Sequence, residues 1–406
     1  MWEEFPRVST AEWEAAIQTD LKGANYDKRL VWHSDEGIVV RPYYRSENLP
    51  ATTGQARSTG EWQVAKDAEI PKDSTRGDAL HEQGATAVQE IGYALAESTG
   101  KRSNIVFSIG GNYFFEIAKL RAARQLWARL SKDPLVIWSR TSYANKSLYD
   151  PSANLLRCTT EAMSAIFGGC DYLIVEPARF PEHLAESLVR ILREESHFGQ
   201  VSDPGGGSYY IESLTASLAA EAWRVYESGL AGRDAVITAS RAAKDKAVAL
   251  RKRTLIGVNN YPDPKETLPP GATLPVTPWR MAKPFEAIRQ RIEKSGKPPR
   301  VLLLSRGQVR MRMARANFCL NFFGCAGFDV RMSDALEPAD LVVLCSSDPE
   351  YLALAKEIVP KTNAPVLVAG NPKDEIEALK AAGIRDFIYL GMNAVETLSR
   401  WQEALS

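Results

Sequence analysis

The chain has 406 residues, 45% hydrophobic and 25% charged, a composition that gives room for two or three folded domains and excludes a disordered chain. Fifty Lys and Arg balance fifty Asp and Glu, so no charge surplus points to nucleic acid or to an anionic membrane. The N-terminal residues MWEEFPRVST lack the basic-then-apolar pattern of a signal peptide, and no apolar run approaches a membrane span. Five cysteines (Cys158, Cys170, Cys319, Cys325, Cys345) show no paired or metal-binding spacing and read as reduced core residues of a cytoplasmic protein; no metal site is expected.

Residues 1–60 read as an arm. Ser9, Thr10 and Glu12 form a helix start, Trp13, Ile17 and Leu21 share one face, and Lys22-Gly23 closes the helix. Two short segments follow, at 25–32 and 36–45. The aromatic residues Trp2, Phe5, Trp13, Trp32, Tyr43 and Tyr44 favour a partner surface over a tail packed on its own chain. Residues 50–76 become Gly-, Thr- and Ser-rich, with a strand near Trp62 and a weak one at 74–80.

Residues 103–130 carry the clearest local pattern. Ile105, Val106, Phe107 and Ile109 make a strand buried on both faces, and Gly110-Gly111 makes a sharp turn. Tyr113, Ile117, Leu120, Ala123, Trp127 and Leu130 then recur every three or four residues as one apolar helix stripe. Glu116, Lys119, Arg121, Arg124 and Arg129 fall off that stripe, the three arginines reading as partners of acids. Further strands are expected at 135–139 and 172–175. Asp203-Pro204-Gly205-Gly206-Gly207-Ser208 lacks the Lys-Ser/Thr of a P-loop and reads as a tight turn before a helix at 214–228.

Residues 232–298 read as a connector: a helix at 233–253 ending in the basic Arg251-Lys252-Arg253, a Pro-rich stretch, and a helical piece at 286–294. Residues 299–406 alternate strands (301–304, 328–331, 341–345, 365–369, 387–390) with helices (310–323, 349–359, 375–382, 394–405). That order predicts a doubly wound parallel sheet of the flavodoxin-like kind.

Several blocks also carry a resemblance. HEQGATAVQEIGYALAES (81–98), GGNYFFEIAKLRAARQLWARL (110–130), RTSYANKSLYDPSANLLRCTTEAMSAIFGGCD (140–171), VSDPGGGSYYIESLT (201–215), RKRTLIGVNNYP (251–262) and RMAKPFEAIR (280–289) resemble, in this order, the methylmalonyl-CoA mutases. These are adenosylcobalamin-dependent carbon-skeleton isomerases. The resemblance implies an α/β chain: a TIM-type (β/α) barrel at 61–231, then a flavodoxin-like cobalamin-binding-type domain at 299–406. A full barrel takes about 250 residues, so the barrel here is truncated to about its C-terminal half, and a partner or a second copy is expected to cover the open edge. An internal deletion would look the same. The arm resembles the extension of the family's small subunit, which wraps around the large one.

The resemblance also shows what chemistry is missing. Catalytic members hold cobalt with the His of an Asp-x-His-x-x-Gly loop; Val309, Met311 and Ala314 stand at those three places here, and none of the four histidines (His33, His81, His183, His197) lies in the last domain. At the family's catalytic Tyr and His stand Asp78 and Ala79. His81 is two residues further on, about 6–7 Å away if the chain is extended there, and reads as a turn or packing residue. Arg140 replaces the family's Gln before Thr141-Ser142, and Glu176 and Phe180 replace an Asn and a Glu that hold the cofactor's sugar. No catalytic residue is assigned. By family position, Asn112, Arg140, Thr141 and Ser142 are the substrate- or CoA-facing candidates, and Gly307, Ser346, Ser347 and Gly370 line the place of the cobalamin tail. The resulting expectation is a small-subunit-like, non-catalytic partner of a catalytic large subunit, which would itself hold adenosylcobalamin. The alternatives are an isomerase in its own right and a free-standing CoA- or corrinoid-binding protein.

Overall fold

The computed structural model describes residues 8–50, 61–98 and 102–405; Trp2 and Phe5 of the arm lie outside them. The arm carries α1 (Thr10–Asp20), α2 (Tyr26–Leu30), and a two-stranded antiparallel pair, β1 (Trp32–His33) with β2 (Val39–Val40). Ser9 and Glu12 cap α1 reciprocally, as the sequence order suggests. The arm packs partly on its own chain: Ile38 and Val40 join the first hydrophobic core, and both Glu36 carboxylate oxygens accept from the backbone N–H groups of Ala87 and Val88. Its Trp13 and Trp32 remain 46% exposed.

The first sheet contains β3 (Gln63–Val64), β4 (Thr75–Arg76), β5 (Asn104–Ile109), β6 (Val136–Thr141) and β7 (Tyr172–Ile174). All pair in parallel, in the order β3-β7-β6-β5-β4, so β3 and β4, the first two strands of this sheet in chain order, form its two edges. The helices are α3 (Gly77–His81), α4 (Ala87–Ser98), α5 (Tyr113–Leu130), α6 (Pro151–Gly168), α7 (Glu182–Arg190) and α8 (Tyr209–Ser228). The weak strand expected at 74–80 is only two residues long and runs straight into α3. The helix expected at 214–228 begins five residues earlier, where the Ser208 hydroxyl caps it.

Alternation along the strands separates two packed faces. Ile105, Phe107, Ile109, Ile137 and Leu173 meet the helices. Val106, Trp138 and Ile174 point to the other face, where Ala65 and Ile70 from the short β3–β4 connection cover them. The inner face of the sheet is therefore closed by the chain's own backtracking segment, although its edges are not joined.

Most charged residues of α5 are not solvent-facing; Arg129 is the exposed one. Lys119 and Arg121 are 0% exposed and Glu116 only 5%. Arg121 pairs with Asp203 and, at 2.7 Å, with Glu212, and Arg124 pairs with Asp171 at 2.6 Å, but Arg129 stacks its guanidinium over the Trp223 ring. Helical periodicity marks which positions share a face; it does not show that α8 and the sheet cover the polar side as well.

The connector contributes α9 (Arg233–Ala249) and α10 (Lys283–Ser295). The second sheet follows: β8 (Arg300–Ser305), β9 (Asp329–Ser333), β10 (Leu341–Cys345), β11 (Val366–Ala369) and β12 (Ile384–Ile388), all parallel, in the order β12-β11-β10-β8-β9. Helices α11 (Val309–Gly324) and α14 (Ala394–Ala404) cover one face together with α10, and α12 (Tyr351–Ile358) and α13 (Ile376–Ala381) cover the other. Ala144 of the first unit, Val248, Leu255 and Trp279 of the connector, and Phe322 of the second unit belong to one continuous core, which locks the two sheets together.

Candidate functional site

In parallel α/β sheets, ligands and reacting groups gather at the C-terminal ends of the strands. At that end of the first sheet lies an ionic network. Arg140, the next-to-last residue of β6, donates to Glu176 at 2.6 Å and to Asp78 at 3.1 Å, and lies 3.2 Å from Asp67. Arg76 grips the same Asp78 in a fork at 2.8 and 2.6 Å. Burial opposes the Arg140 charge, but the Glu176 and Asp78 carboxylates outweigh it and hold its pKa above the ordinary value. Tyr143 donates to Glu176 at 3.1 Å, and burial followed by that carboxylate raises the phenol's pKa.

The neighbouring candidates serve as internal ties. The Thr141 hydroxyl accepts from the Glu176 backbone N–H at 2.9 Å. Ser142 donates to Glu82 at 3.0 Å, and the same carboxylate oxygen accepts from Ser108 Oγ and from the Tyr143 N–H. Arg140, Thr141 and Ser142 thus come together. Asn112 does not join them: it starts α5, makes no capping hydrogen bond, and lines a separate cavity of about 470 Å³.

Beside the cavity, and lining it through His81 and Glu116, lies a largely buried charge cluster that the sequence reading missed. Lys119 Nζ lies 2.9 Å from Glu90 and 2.5 Å from Glu116. Glu90 also accepts from the Ser108 N–H, and Glu116 from the Gly110 N–H at 3.0 Å. Burial lowers Lys119's pKa, but its two carboxylate partners raise it by more. Burial pushes Glu90 up to about 7, against the pull of Lys119. His81 Nδ1 stands 3.3 Å from Glu90; burial, then the Lys119 charge, hold the imidazole down to about 4, so it is neutral at pH 7. His81 is the last residue of α3, so its two-residue offset from Ala79 follows a helical turn and not the extended spacing assumed from the sequence. The signal available beforehand was Gly110: a Cβ there would lie 3.3 Å from the imidazole and 3.2 Å from Glu116, so only glycine leaves both in place.

At the second sheet, the order reverses between β8 and β10, which places the crevice beside Gly307, Ser346 and Ser347. That space is filled from within. The Glu350 carboxylate accepts from Ser346 Oγ and Ser347 Oγ at 2.5 Å each and from the Ser347 N–H at 3.2 Å. These bonds, the Ser346 hydroxyl first, hold its pKa down to about 2. Gly307 has φ +85°, and a Cβ there would collide with Glu350 and Ser346. Arg315 lies against Gly370, 3.2 Å from where a Cβ would stand, and pairs with Asp348 at 3.0 Å. Met311 occupies the first turn of α11, and residues 299–406 contain no His. These residues do not fit a cobalamin tail or its His ligand. Among the described residues, no group of three or more His, Cys, Asp or Glu is placed to hold a metal ion, and no helix is long and apolar enough to cross a membrane.

Two parallel sheets flanked by helices, with charged networks at their C-terminal ends, define an α/β protein. The profile of the family described as Methylmalonyl-CoA mutase matches residues 56–290. The chain is 28% identical to the methylmalonyl-CoA mutase small subunit of Porphyromonas gingivalis, over 99% of this chain and 98% of that one. It is 32% identical to the probable methylmalonyl-CoA mutase small subunit of Mycobacterium bovis, over 80% of this chain and 63% of the relative, and 30% identical to the small subunit of Streptomyces virginiae, over 79% and 62%. The chain belongs to the methylmalonyl-CoA mutase family and is a small-subunit-like member of it. The family uses adenosylcobalamin. The Porphyromonas match runs over 607 aligned positions although this chain has 406 residues, so a large internal part of that relative has no counterpart here.

Proposed function

We propose that this chain is a non-catalytic subunit that pairs with, and stabilises or regulates, a longer catalytic mutase chain interconverting methylmalonyl-CoA and succinyl-CoA. The reading takes residues 61–231 as a truncated TIM-type barrel, 232–298 as a connector and 299–406 as a flavodoxin-like domain, with 1–60 as the arm that meets the partner. The strand order β9-β8-β10-β11-β12, which is 2-1-3-4-5 counted within the second unit, supports the flavodoxin-like assignment. The edge positions of β3 and β4 support a barrel interrupted between them.

The observation that carries this reading is the Arg140 network. An isomerase handling radicals needs open, water-excluding space where its strands end. Here Arg140, Asp78 and Glu176 fill that end with mutually satisfied charges, and Thr141 and Ser142 hold the loop. Asn112 alone keeps a free amide. Gly307, Ser346, Ser347 and Gly370 keep the shape of a nucleotide-tail cradle, but Glu350 and Arg315 occupy it, so adenosylcobalamin belongs to the partner subunit. The five buried free cysteines suit a reducing compartment, the cytoplasm.

The test is spectroscopic and biochemical. Adenosylcobalamin added to the purified chain should leave the free-cofactor spectrum unchanged, and the chain should co-purify as a heterodimer with a mutase chain that carries the Asp-x-His-x-x-Gly loop. A stoichiometric base-off shift with the chain alone would overturn the reading in favour of an independent isomerase or corrinoid binder. A homodimer that excludes the longer chain would overturn the proposed partner.

A further inference from the structure

The second sheet ends on one side at β9, which among the described residues pairs with β8 alone. The Asp329 N–H donates to the Pro299 carbonyl at 3.0 Å, so Asp329, Arg331 and Ser333 turn their backbone groups toward β8. Val330 and Met332 turn theirs to the free edge. A strand edge of this kind is a template for another strand.

The two faces of the edge differ. On the α11 side, Val330 packs on the core, and beside it lies a groove of about 510 Å³ lined by Tyr261, Pro262, Leu320, Phe328 and Val330. Tyr261 is 68% exposed and Leu320 42%. Met332, 40% exposed, shares the face of Val330 by strand alternation but stands past the end of this groove and does not line it. The opposite face carries the only charged residues of β9, Asp329 and Arg331, 3.3 Å apart and both reaching solvent.

This pattern is complementary to itself. In an antiparallel pairing with the two-fold axis at Val330, Asp329 of each copy stands opposite Arg331 of the other, giving two opposite-charge pairs across the axis. The same register sets Met332 opposite Phe328, at the groove of the other copy, and lets the outward backbone groups of the two Val330 residues bond each other. An axis at Arg331 instead sets arginine against arginine. An axis at Met332 leaves Asp329 opposite Ala335, with no cation.

We propose that β9 is a self-association surface: two copies of this chain pair β9 to β9 about Val330, joining their second sheets into one and seating each Met332 in the other copy's groove. Such an interface is isologous and closed, so association stops at two. It uses one short strand and one groove from each copy, which places it among weak, reversible contacts. The arm packs on the first unit and takes no part, so the contact neither requires nor displaces a catalytic partner held by the arm.

The test is sedimentation of the full chain alone, without any longer mutase chain, from about 1 to 200 µM. A reversible monomer–dimer equilibrium with a Kd of about 1–50 µM is expected. Asp329→Lys and Arg331→Glu each put two like-charged pairs across the axis and should each weaken dimerisation at least about tenfold. An equimolar mixture of the two variants recovers both opposite-charge pairs and should dimerise within about threefold of the wild type. Contacts inside each variant chain are the same alone and mixed, so a merely structural role of either residue gives no such rescue. Met332→Ser, at an exposed position, should weaken dimerisation at least about threefold. The proposal is overturned if the wild type stays monomeric at about 200 µM or grows beyond a dimer. It is equally overturned if the mixture associates no more tightly than its components, or, should the charge variants not fold, if Met332→Ser dimerises as tightly as the wild type.

Discussion

Lys119 Nζ lies 2.9 Å from the Glu90 carboxylate, and neither side chain has any solvent exposure. The pair sits behind the β5 strand and is completed by Glu116 at 2.5 Å and by the backbone of Ser108 and Gly110. Buried ion pairs of this kind contribute little net stability when whole, but removing one member leaves an uncompensated charge. Lys119→Met strands two carboxylates at once. It should lower the unfolding free energy by about 3–5 kcal/mol in urea titrations. A loss under about 1 kcal/mol would mean that water reaches the cluster.

The pH dependence around this cluster has a worked sign. Glu90, raised from 4.5 to about 7, binds its proton more tightly folded than unfolded, so on its own it makes stability fall as pH rises from about 4.5 to 7. His81, lowered from 6.5 to about 4, does the opposite and makes stability rise from about pH 4 to 6.5. The two nearly cancel in the wild type. His81→Gln should unmask the Glu90 slope, up to about 1.4 kcal/mol per pH unit, with the variant more stable at pH 5 than at pH 7. Glu90→Gln should show the reverse slope. Chemical denaturation of both variants at pH 5 and pH 7 decides the matter.

Two arginines share Asp78 but differ in exposure. The Arg140 side chain is 18% exposed and the Arg76 side chain 44%. Arg140→Met leaves Asp78, at 2% exposure, and Glu176 short of a cation, and should cost about 3 kcal/mol. Arg76→Met should cost about 1 kcal/mol or less because water screens the remaining charge. Parallel thermal melts of the two variants should reproduce that order; equal losses would show that the network is not centred on Arg140.

Gly92 sits inside α4, where alanine ordinarily stabilises by up to about 1 kcal/mol. Here a Cβ would lie 2.6 Å from Val225 Cβ and 2.7 Å from the Ala222 carbonyl of α8. Gly92→Ala should instead destabilise by about 1–3 kcal/mol by forcing the two helices apart. A gain in melting temperature would show that α4 and α8 can separate at little cost.

Much of the architecture was legible locally. The 103–130 segment folds as β5 and α5 with the expected helix bounds, and the strand at 341–345 is found at those residues, because short apolar runs and three-to-four spacing report burial directly. The arm was read only in part: its aromatic residues suggested a partner surface, yet Ile38, Val40 and Glu36 are anchored on the chain itself. Nothing in the order of residues shows that Glu36 reaches the start of α4, since that contact spans 51 positions.

By itself the sequence determined the family, the alternation of strands and helices in both units, and the absence of any His in residues 299–406. These follow from residue identity and local periodicity alone. Only the tertiary structure decided that Glu116, Lys119 and Arg121 are buried, that Arg140 closes the end of its sheet, that Glu350 fills the crevice beside Gly307, and that Asn112 faces a different space from Arg140. The reason is physical: a charged side chain takes its meaning from what surrounds it. Whether a carboxylate meets water, a lysine or a serine hydroxyl is settled by segments that meet only when the chain has folded.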